Sequence, residues 1–312
     1  MIFLVSGIAG DIGFGVGRIL RDWRRDAVLH GIDIQHHHAG LAVYDYCAVA
    51  PKASSDNYIS WVTEYVTKNR VDVFIPTSEA EIKVISEQRI DTLGGAKVLI
   101  SNHLAVSRSL DKNICLTYLA DKGISVPKHG LVGGIGPDNF PVIVKPRSGQ
   151  GSKGVQRVDS ETQYKNLHAD GAVWQDYLSS EESEYTCPVY RSSGAGTRIL
   201  VLKRKLVGGL TGSGEVVELE EVTAYVKSIA EAMDLNGVMN VQLRMTPMGP
   251  LLFEINPRLS STLVFRDKMG FSDLRWWLAD ICETGMTQYI PPVPGTRFYR
   301  GAQEYIFTSE QI

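Results

Sequence analysis

The stretch VIVKPRSGQGSKGV, residues 142–155, decides how the rest of the chain is read. Three apolar residues, two of them valine and one isoleucine, predict a short buried strand. Lys145 closes it. Pro146 then opens a loop that carries Gly149, Gly151 and Gly154, with Ser152 among them. A lysine buried at a strand end is costly unless an anion pairs with it. A glycine loop beside it can lay backbone N–H groups on phosphate oxygens. The lysine precedes the glycines, which is the reverse of the Walker order. A glycine-rich hairpin next to an ordinary lysine is the competing reading.

About a hundred residues further on stands LLFEINPRLSST, residues 251–262. Glu254 and Asn256 are two apart on a predicted strand, so both face one side. A carboxylate and an amide carbonyl there suit Mg²⁺, which takes hard oxygen ligands and keeps waters and phosphates. Arg258, just past the strand, is placed to grip phosphate or carboxylate. Gln242, in the preceding strand VMNVQLR, faces the same site if the two strands form a hairpin. Glu254 taken alone is equally well a salt-bridged strand residue. Between the two motifs lies VWQDYLSSEESEYTCPVY, residues 173–190. There a strand meets Gln175, Asp176, Tyr177 and Leu178, and an acidic loop reaches Glu184. An exposed acidic loop explains that segment when it is read alone.

Upstream, IFLV at residues 2–5 predicts a strand, SGIAGDIG a turn, and the spacing of Val16, Ile19, Leu20 and Trp23 a helix. Strand is expected at 28–34, 71–75 and 97–100, and helix at 58–69 and 79–93. That alternation implies a parallel sheet with covered faces. Gly7, Gly10 and Gly13 open the first helix, and Asp33 closes the next strand, as in a dinucleotide site. Their spacing is GxxGxxG rather than GxGxxG, so a tight strand-to-helix turn explains them as well. Thr77, Ser78 and Glu79, in PTSEAE, end a strand and cap a helix, where a substrate can also be held. After residue 103 a helix is expected from about Ser109 to Lys122, with Gly123 as its C-cap. Mostly strands follow, including a hairpin in RILVLKRKLVGGL and another around Thr-Pro-Met-Gly at 246–249. His36, His37 and His38 are consecutive and diverge, which predicts a polar loop. Trp276 and Trp277 sit in a helical pattern and are expected in the core.

Bulk properties narrow the function. The chain has 312 residues, 44% hydrophobic and 21% charged, so whole-chain disorder is excluded. Thirty-two basic against 35 acidic residues, net −3, argue against a nucleic-acid coat. Four cysteines without a CxxC pair predict reduced thiols. The N-terminus lacks a basic n-region, and no uncharged apolar stretch is long enough to span a bilayer. A cytoplasmic protein, off the membrane, is the expectation.

Taken in order, these motifs resemble the ATP-grasp superfamily, in its carbamoyl-phosphate-synthase-like and biotin-carboxylase-like branch. The resemblance implies a doubly wound α/β domain over residues 1–102. It also implies an α+β ATP-grasp fold of two lobes, over 103–178 and 179–312. It implies that Lys112, after Asp111, and Lys145 bind nucleotide phosphates, and that Gly149, Gly151, Ser152 and Gly154 cover them. Gln175, Asp176, Tyr177 and Leu178 match the adenine hinge, and Glu184 the residue beside the ribose. Gln242, Glu254 and Asn256 match the Mg²⁺ ligands, with Mn²⁺ an alternative ion. Arg258 matches the arginine near the γ-phosphate, while Ser261 and Arg266 lie where such proteins contact the acceptor. Gln242 departs from the Glu or Asp of many relatives, and Gln175 from a common hinge Glu. The implied activity is an ADP-forming ligation of a carboxylate to an amine through an acyl phosphate, with a homodimer compatible. Two alternatives stay open: an ATP-binding subunit without ligase activity, and a nicotinamide-dependent oxidoreductase using Gly7, Gly10, Gly13 and Asp33.

Overall fold

The computed structural model describes residues 1–149, 154–178 and 184–307. The chain divides into two compact units. The first holds residues 1–103, 258–292 and 299–312, and the second holds 104–257 and 293–298. The division differs from the expected bounds, because residues 258–292 and most of the C-terminal tail cluster with the N-terminal segment.

The first unit is built on a six-stranded sheet. Its strands are β1 (Ile2–Ser6), β2 (Val28–Asp33), β3 (Tyr46–Val49), β4 (Val73–Ile75), β5 (Thr92–Leu93) and β6 (Ala96–Val98). Their order is β3-β2-β1-β4-β6-β5, parallel except for β5. The chain winds outward from β1 through β2 to β3, then crosses to β4 on the other side. The order therefore reverses between β1 and β4, where α/β sheets open a crevice at their carboxyl ends. Helix Tyr58–Asn69 covers one face, its Tyr58, Val62 and Val66 buried with Leu4, Ile32 and Phe74. Helix Asp11–Trp23 follows the glycine turn. Gly7 takes φ +63°, and a Cβ there would stand 2.6 Å from Thr77 Oγ1. A Cβ on Gly13 would meet the Gly7 carbonyl oxygen at 2.4 Å. Close packing of turn and helix thus suffices to require these glycines.

Two sequence expectations need correction here. The helix expected over 79–93 is Glu79–Glu87, and Arg89 then turns left-handed at φ +52°. β5 and β6 follow it as a hairpin about Gly94 and Gly95. Strand β3 was not foreseen. It is an edge strand whose short YCAV run is mostly exposed. The unit is completed by helices Leu263–Lys268 and Asp273–Ile281, with Trp276 and Trp277 buried as expected. Leu263 lies so near helix Asp11–Trp23 that a Cβ on Gly15 would touch it at 2.9 Å.

The second unit holds two antiparallel sheets. The smaller contains β7 (His129–Leu131), β8 (Val142–Lys145), β9 (Gln156–Val158) and β10 (Val173–Asp176), in the order β7-β10-β8-β9. The larger contains β11 (Glu184–Ser192), β12 (Gly196–Ile199), β13 (Leu202–Val207), β14 (Leu210–Val216), β15 (Gly237–Thr246), β16 (Gly249–Asn256) and β17 (Arg297–Tyr299). Its order is β16-β15-β11-β13-β14-β17, with β12 beside β11. One face packs on helices Lys112–Asp121 and Glu220–Ala232. Cys187, Val189, Val241, Leu243, Leu252 and Ile255 point there, among Leu116, Leu119, Val226 and Ile229. The alternation of a strand sends the intervening residues to the opposite face. These are Glu184 and Thr186, Asn240, Gln242 and Arg244, and Glu254 and Asn256. A bulge at Phe253 shifts the register, so that Leu252 faces Leu243 while Glu254 pairs with Gln242. Without it Glu254 would point into the apolar core.

Candidate functional site

Lys145 is 6% exposed at the end of β8. Its Nζ donates to Gln175 Oε1 at 2.8 Å and to the Phe253 carbonyl at 2.6 Å. Neither partner carries a charge. Burial pushes the ammonium down to about 8, against the opposing pull of the Glu254 carboxylate. Gln175 is itself buried on β10, which runs antiparallel to β8. Its side-chain oxygen is thus committed to Lys145. Beyond Gln175 come Asp176, whose N–H donates to the Lys128 carbonyl, and Tyr177, whose ring lies under the Arg157 guanidinium. Burial raises the Asp176 carboxyl.

The second lysine stands close by. Asp111 is the N-cap of helix Lys112–Asp121, its Oδ1 accepting from Asn113 N–H and Ile114 N–H. Its Oδ2 accepts from Arg147, two residues past Lys145, at 2.6–2.7 Å. The Lys112 N–H in turn donates to the Arg147 carbonyl. One aspartate therefore ties the helix start to the beginning of the glycine loop. Lys112 Nζ donates to the Gly149 carbonyl at 2.9 Å and lies 3.6 Å from Glu254 Oε1. Gly149 and Gly154 take φ +119° and +73°, conformations that glycine adopts without strain. Gly151 and Ser152 lie outside the described residues.

Gln242, Glu254 and Asn256 share one face, with Asn240 opposite Asn256. Glu254 and Asn256 offer two hard oxygen donors, a set that fits Mg²⁺. Gln242 is engaged otherwise: its Oε1 accepts from Arg204 at 2.9 Å. Arg204 also donates through Nε and one terminal nitrogen to Glu184 Oε1, at 3.0 and 2.7 Å. Arg244 donates to the other oxygen of Glu184 and, at 2.6 Å, to the Leu178 carbonyl. Both Glu184 oxygens therefore sit between two guanidiniums. Arg204, Arg244 and Asn240 were missed from sequence. They come from strands whose register brings them beside the motifs, and no local spacing marks them. The side-chain nitrogens of Asn240 and Asn256 are buried with no partner among the described residues. The Asn240 oxygen accepts from Thr186, which leaves the amide nitrogen as a donor without an acceptor. Nearly all buried polar groups find a partner in protein or in ordered water.

The remaining expected residues belong to the first unit. Arg258 is buried and donates to Glu79 Oε1 at 2.8 Å. Glu79 follows Ser78, which forms a capping box with Glu81. Thr77 donates to the Ser6 carbonyl, tying the ends of β1 and β4 together. Ser261 presents its carbonyl to Arg300, which also pairs with Asp11. Arg266 is 1% exposed, bidentate on Asp273 and bonded to Ser260 and Thr262. It shapes the 260–262 turn. Asp33 accepts from Gln35 N–H in its own turn and from Ala9 N–H in the glycine turn after β1, so both its oxygens are engaged by backbone.

Residues 172–298 match a family model described as ATP-grasp in the biosynthetic pathway with Ter operon. A probable alpha-L-glutamate ligase of Marinobacter nauticus is 27% identical over 192 residues, or 50% of this chain and 58% of that protein. The chain thus spans little more than half the length of that curated relative. Among solved structures, the ADP complex of an N5-carboxyaminoimidazole ribonucleotide synthetase superimposes with a TM-score of 0.73 at 18% identity, covering 94% of this chain and 79% of that one. An L-amino acid ligase of Bacillus licheniformis superimposes at 0.67 and 14% identity, covering 89% and 73%. At such identities the shared property is the fold.

Proposed function

We propose that this chain, whose residues 172–298 match an ATP-grasp family model and whose fold is that of the solved synthetase and ligase above, is an ADP-forming ligase joining a small carboxylate to an amine. The observation that carries the reading is Lys145, a buried cation whose hydrogen-bond partners among the described residues are neutral, with Glu254 and Lys112 nearby. The ligase names of its relatives support the reaction class.

A carboxylate oxygen of the first substrate attacks the γ-phosphorus of ATP, the bond to the β-phosphate oxygen breaks, and ADP leaves. The amine then attacks the acyl carbon, phosphate departs with the bonding pair, and the amine loses a proton. Lys112 and Lys145 neutralise the phosphates. The backbone of 175–178 receives the adenine, and exclusion of water from the site protects the acyl phosphate. Glu254 and Asn256 would hold Mg²⁺, or Mn²⁺ in its place, which supplies charge stabilisation at the transferring group when bound. The resemblance gives Arg258 a role at the acyl phosphate and Ser261 one at the acceptor. Positioning and charge neutralisation carry most of such a reaction. We place it in the cytoplasm, a setting that suits the four free cysteines. Among the described residues no helix is long and apolar enough to cross a membrane.

The test is phosphate release from ATP over a panel of carboxylic acids, each paired with ammonium or an amino acid. Glu254→Gln should lower release at least a hundredfold with the fold intact. Release equal to wild type would remove Glu254 from the metal seat. A nicotinamide reading has less support, since both oxygens of Asp33, the acid it would use, already accept backbone N–H groups, from Ala9 and Gln35.

A further inference from the structure

We infer that Arg204 holds Gln242 out of the metal's coordination sphere, and that the same guanidinium positions the nucleotide hinge. The inference rests on the nucleotide reading above and assigns roles inside that site. Its starting point is a conflict between sequence and geometry. Gln242 stands opposite Glu254 in the strand register, so its amide oxygen is a natural third ligand for the ion. That oxygen instead accepts from Arg204 at 2.9 Å. A guanidinium has only donors, so the oxygen of the amide must be the atom facing it. A divalent ion and a guanidinium cannot share one amide oxygen without strong repulsion in a half-buried site.

Arg204 is fixed where it stands. Its side chain is 9% exposed. Two of its nitrogens fork on Glu184 Oε1, and a third lies 3.5 Å from Thr211 Oγ1. Releasing Gln242 by swinging Arg204 away would leave Glu184 with one partner instead of two. Glu184 is the pivot of the second role. Arg244 grips its other oxygen and reaches the Leu178 carbonyl at 2.6 Å. The chain of contacts Gln242–Arg204–Glu184–Arg244–Leu178 therefore joins the metal-bearing face of the large sheet to the end of the hinge. Two arginines against one carboxylate leave the cluster with a surplus positive charge. That surplus opposes a cation at Gln242 and favours an anionic nucleotide beside it.

Arg204 is thus a positioning residue, and its removal has two effects of opposite sign. Arg204→Met frees the Gln242 oxygen, which then serves as an added metal ligand. The same change unbraces Leu178. Calorimetric titration of a non-hydrolysable ATP analogue at graded Mg²⁺ reads both. For Arg204→Met the Mg²⁺ needed for half-maximal effect should fall about fivefold, while affinity at saturating Mg²⁺ weakens about tenfold, the scale of a lost charge-assisted bond. A merely structural arginine would weaken both together, and parallel losses or no change would overturn the inference. Gln242→Met is the second variant and decides the matter if Arg204→Met does not fold. Its Mg²⁺ requirement should stay within about twofold of wild type, whereas a tenfold rise would make Gln242 a ligand and refute the assignment. Wild-type protein that binds no nucleotide would sink the ligase reading and this inference with it. Nucleotide binding with Mg²⁺ responses contrary to these would sink the inference alone.

Discussion

A lysine that is 6% exposed between two neutral acceptors keeps its proton less readily than one in water. Lys145 titrates near 8, below the usual lysine range. The sign follows from linkage. Between about pH 8 and the ordinary lysine value the unfolded chain binds more protons at this position than the folded one, so this group's contribution to stability rises with pH there. Its contribution to anion binding runs the other way, because the charge is lost across the same window. Affinity for MgADP should therefore be level below pH 8 and fall above it. Lys145→Met should bind more weakly and show no such fall. Titrations at pH 7, 8 and 9 check this, and an affinity unchanged to pH 9 in wild type would contradict it. At this scale the sequence was informative where chemistry is contiguous. VIVK followed by glycines, and FEIN, announce themselves within a few residues. Arg204 and Arg244 do not. They meet Glu184 only through the pairing of β13 and β15 with β11, and nothing within their own strands sets them apart from exposed charges.

The start of helix Lys112–Asp121 shows how one element serves both stability and the site. Asp111 satisfies two backbone N–H groups that the helix leaves open, and its other oxygen holds Arg147. Removing such a cap costs about 1 kcal/mol. The Arg147 pair is 43% exposed on the arginine side and adds little to stability. Asp111→Ala should lower the melting temperature by about 2–4 °C. It should also weaken nucleotide binding, because Lys112 and the loop lose their common anchor. Asp111→Asn, which retains a capping oxygen, should recover most of the melting temperature but less of the binding. Equal melting curves for Asp111→Ala and wild type would contradict the cap. Elements were legible wherever a buried face has a regular period. Tyr58–Asn69 was read to the residue, whereas the helix over 79–93 was drawn too long because Arg89 turns left-handed without a glycine to signal it. The bulge at Phe253 escaped notice for a related reason, since strand alternation alone would put Leu252 and Glu254 on one face.

For the whole molecule, alternating strands and helices followed by paired strands were enough to foresee a doubly wound part and an α+β part. The division of the chain was not legible. Arg258 and Glu79 are 179 residues apart yet form a buried ion pair. Segment 258–292 joins the first unit because helix Leu263–Lys268 packs on Asp11–Trp23, and such non-local packing leaves no local trace in the sequence. Of the two readings of Gly7, Gly10 and Gly13, the tight strand-to-helix turn accounts for them by close packing alone. The central claim is that Lys145, Lys112 and the Glu254–Asn256 face form an ATP site. Calorimetric titration with a non-hydrolysable ATP analogue and Mg²⁺, run beside NAD⁺ and NADH, tests it most directly. The account predicts saturable, magnesium-dependent binding of the ATP analogue and none of either dinucleotide. Binding of NAD⁺ or NADH with none of the ATP analogue would contradict it and return the site to the glycine turn of the first unit.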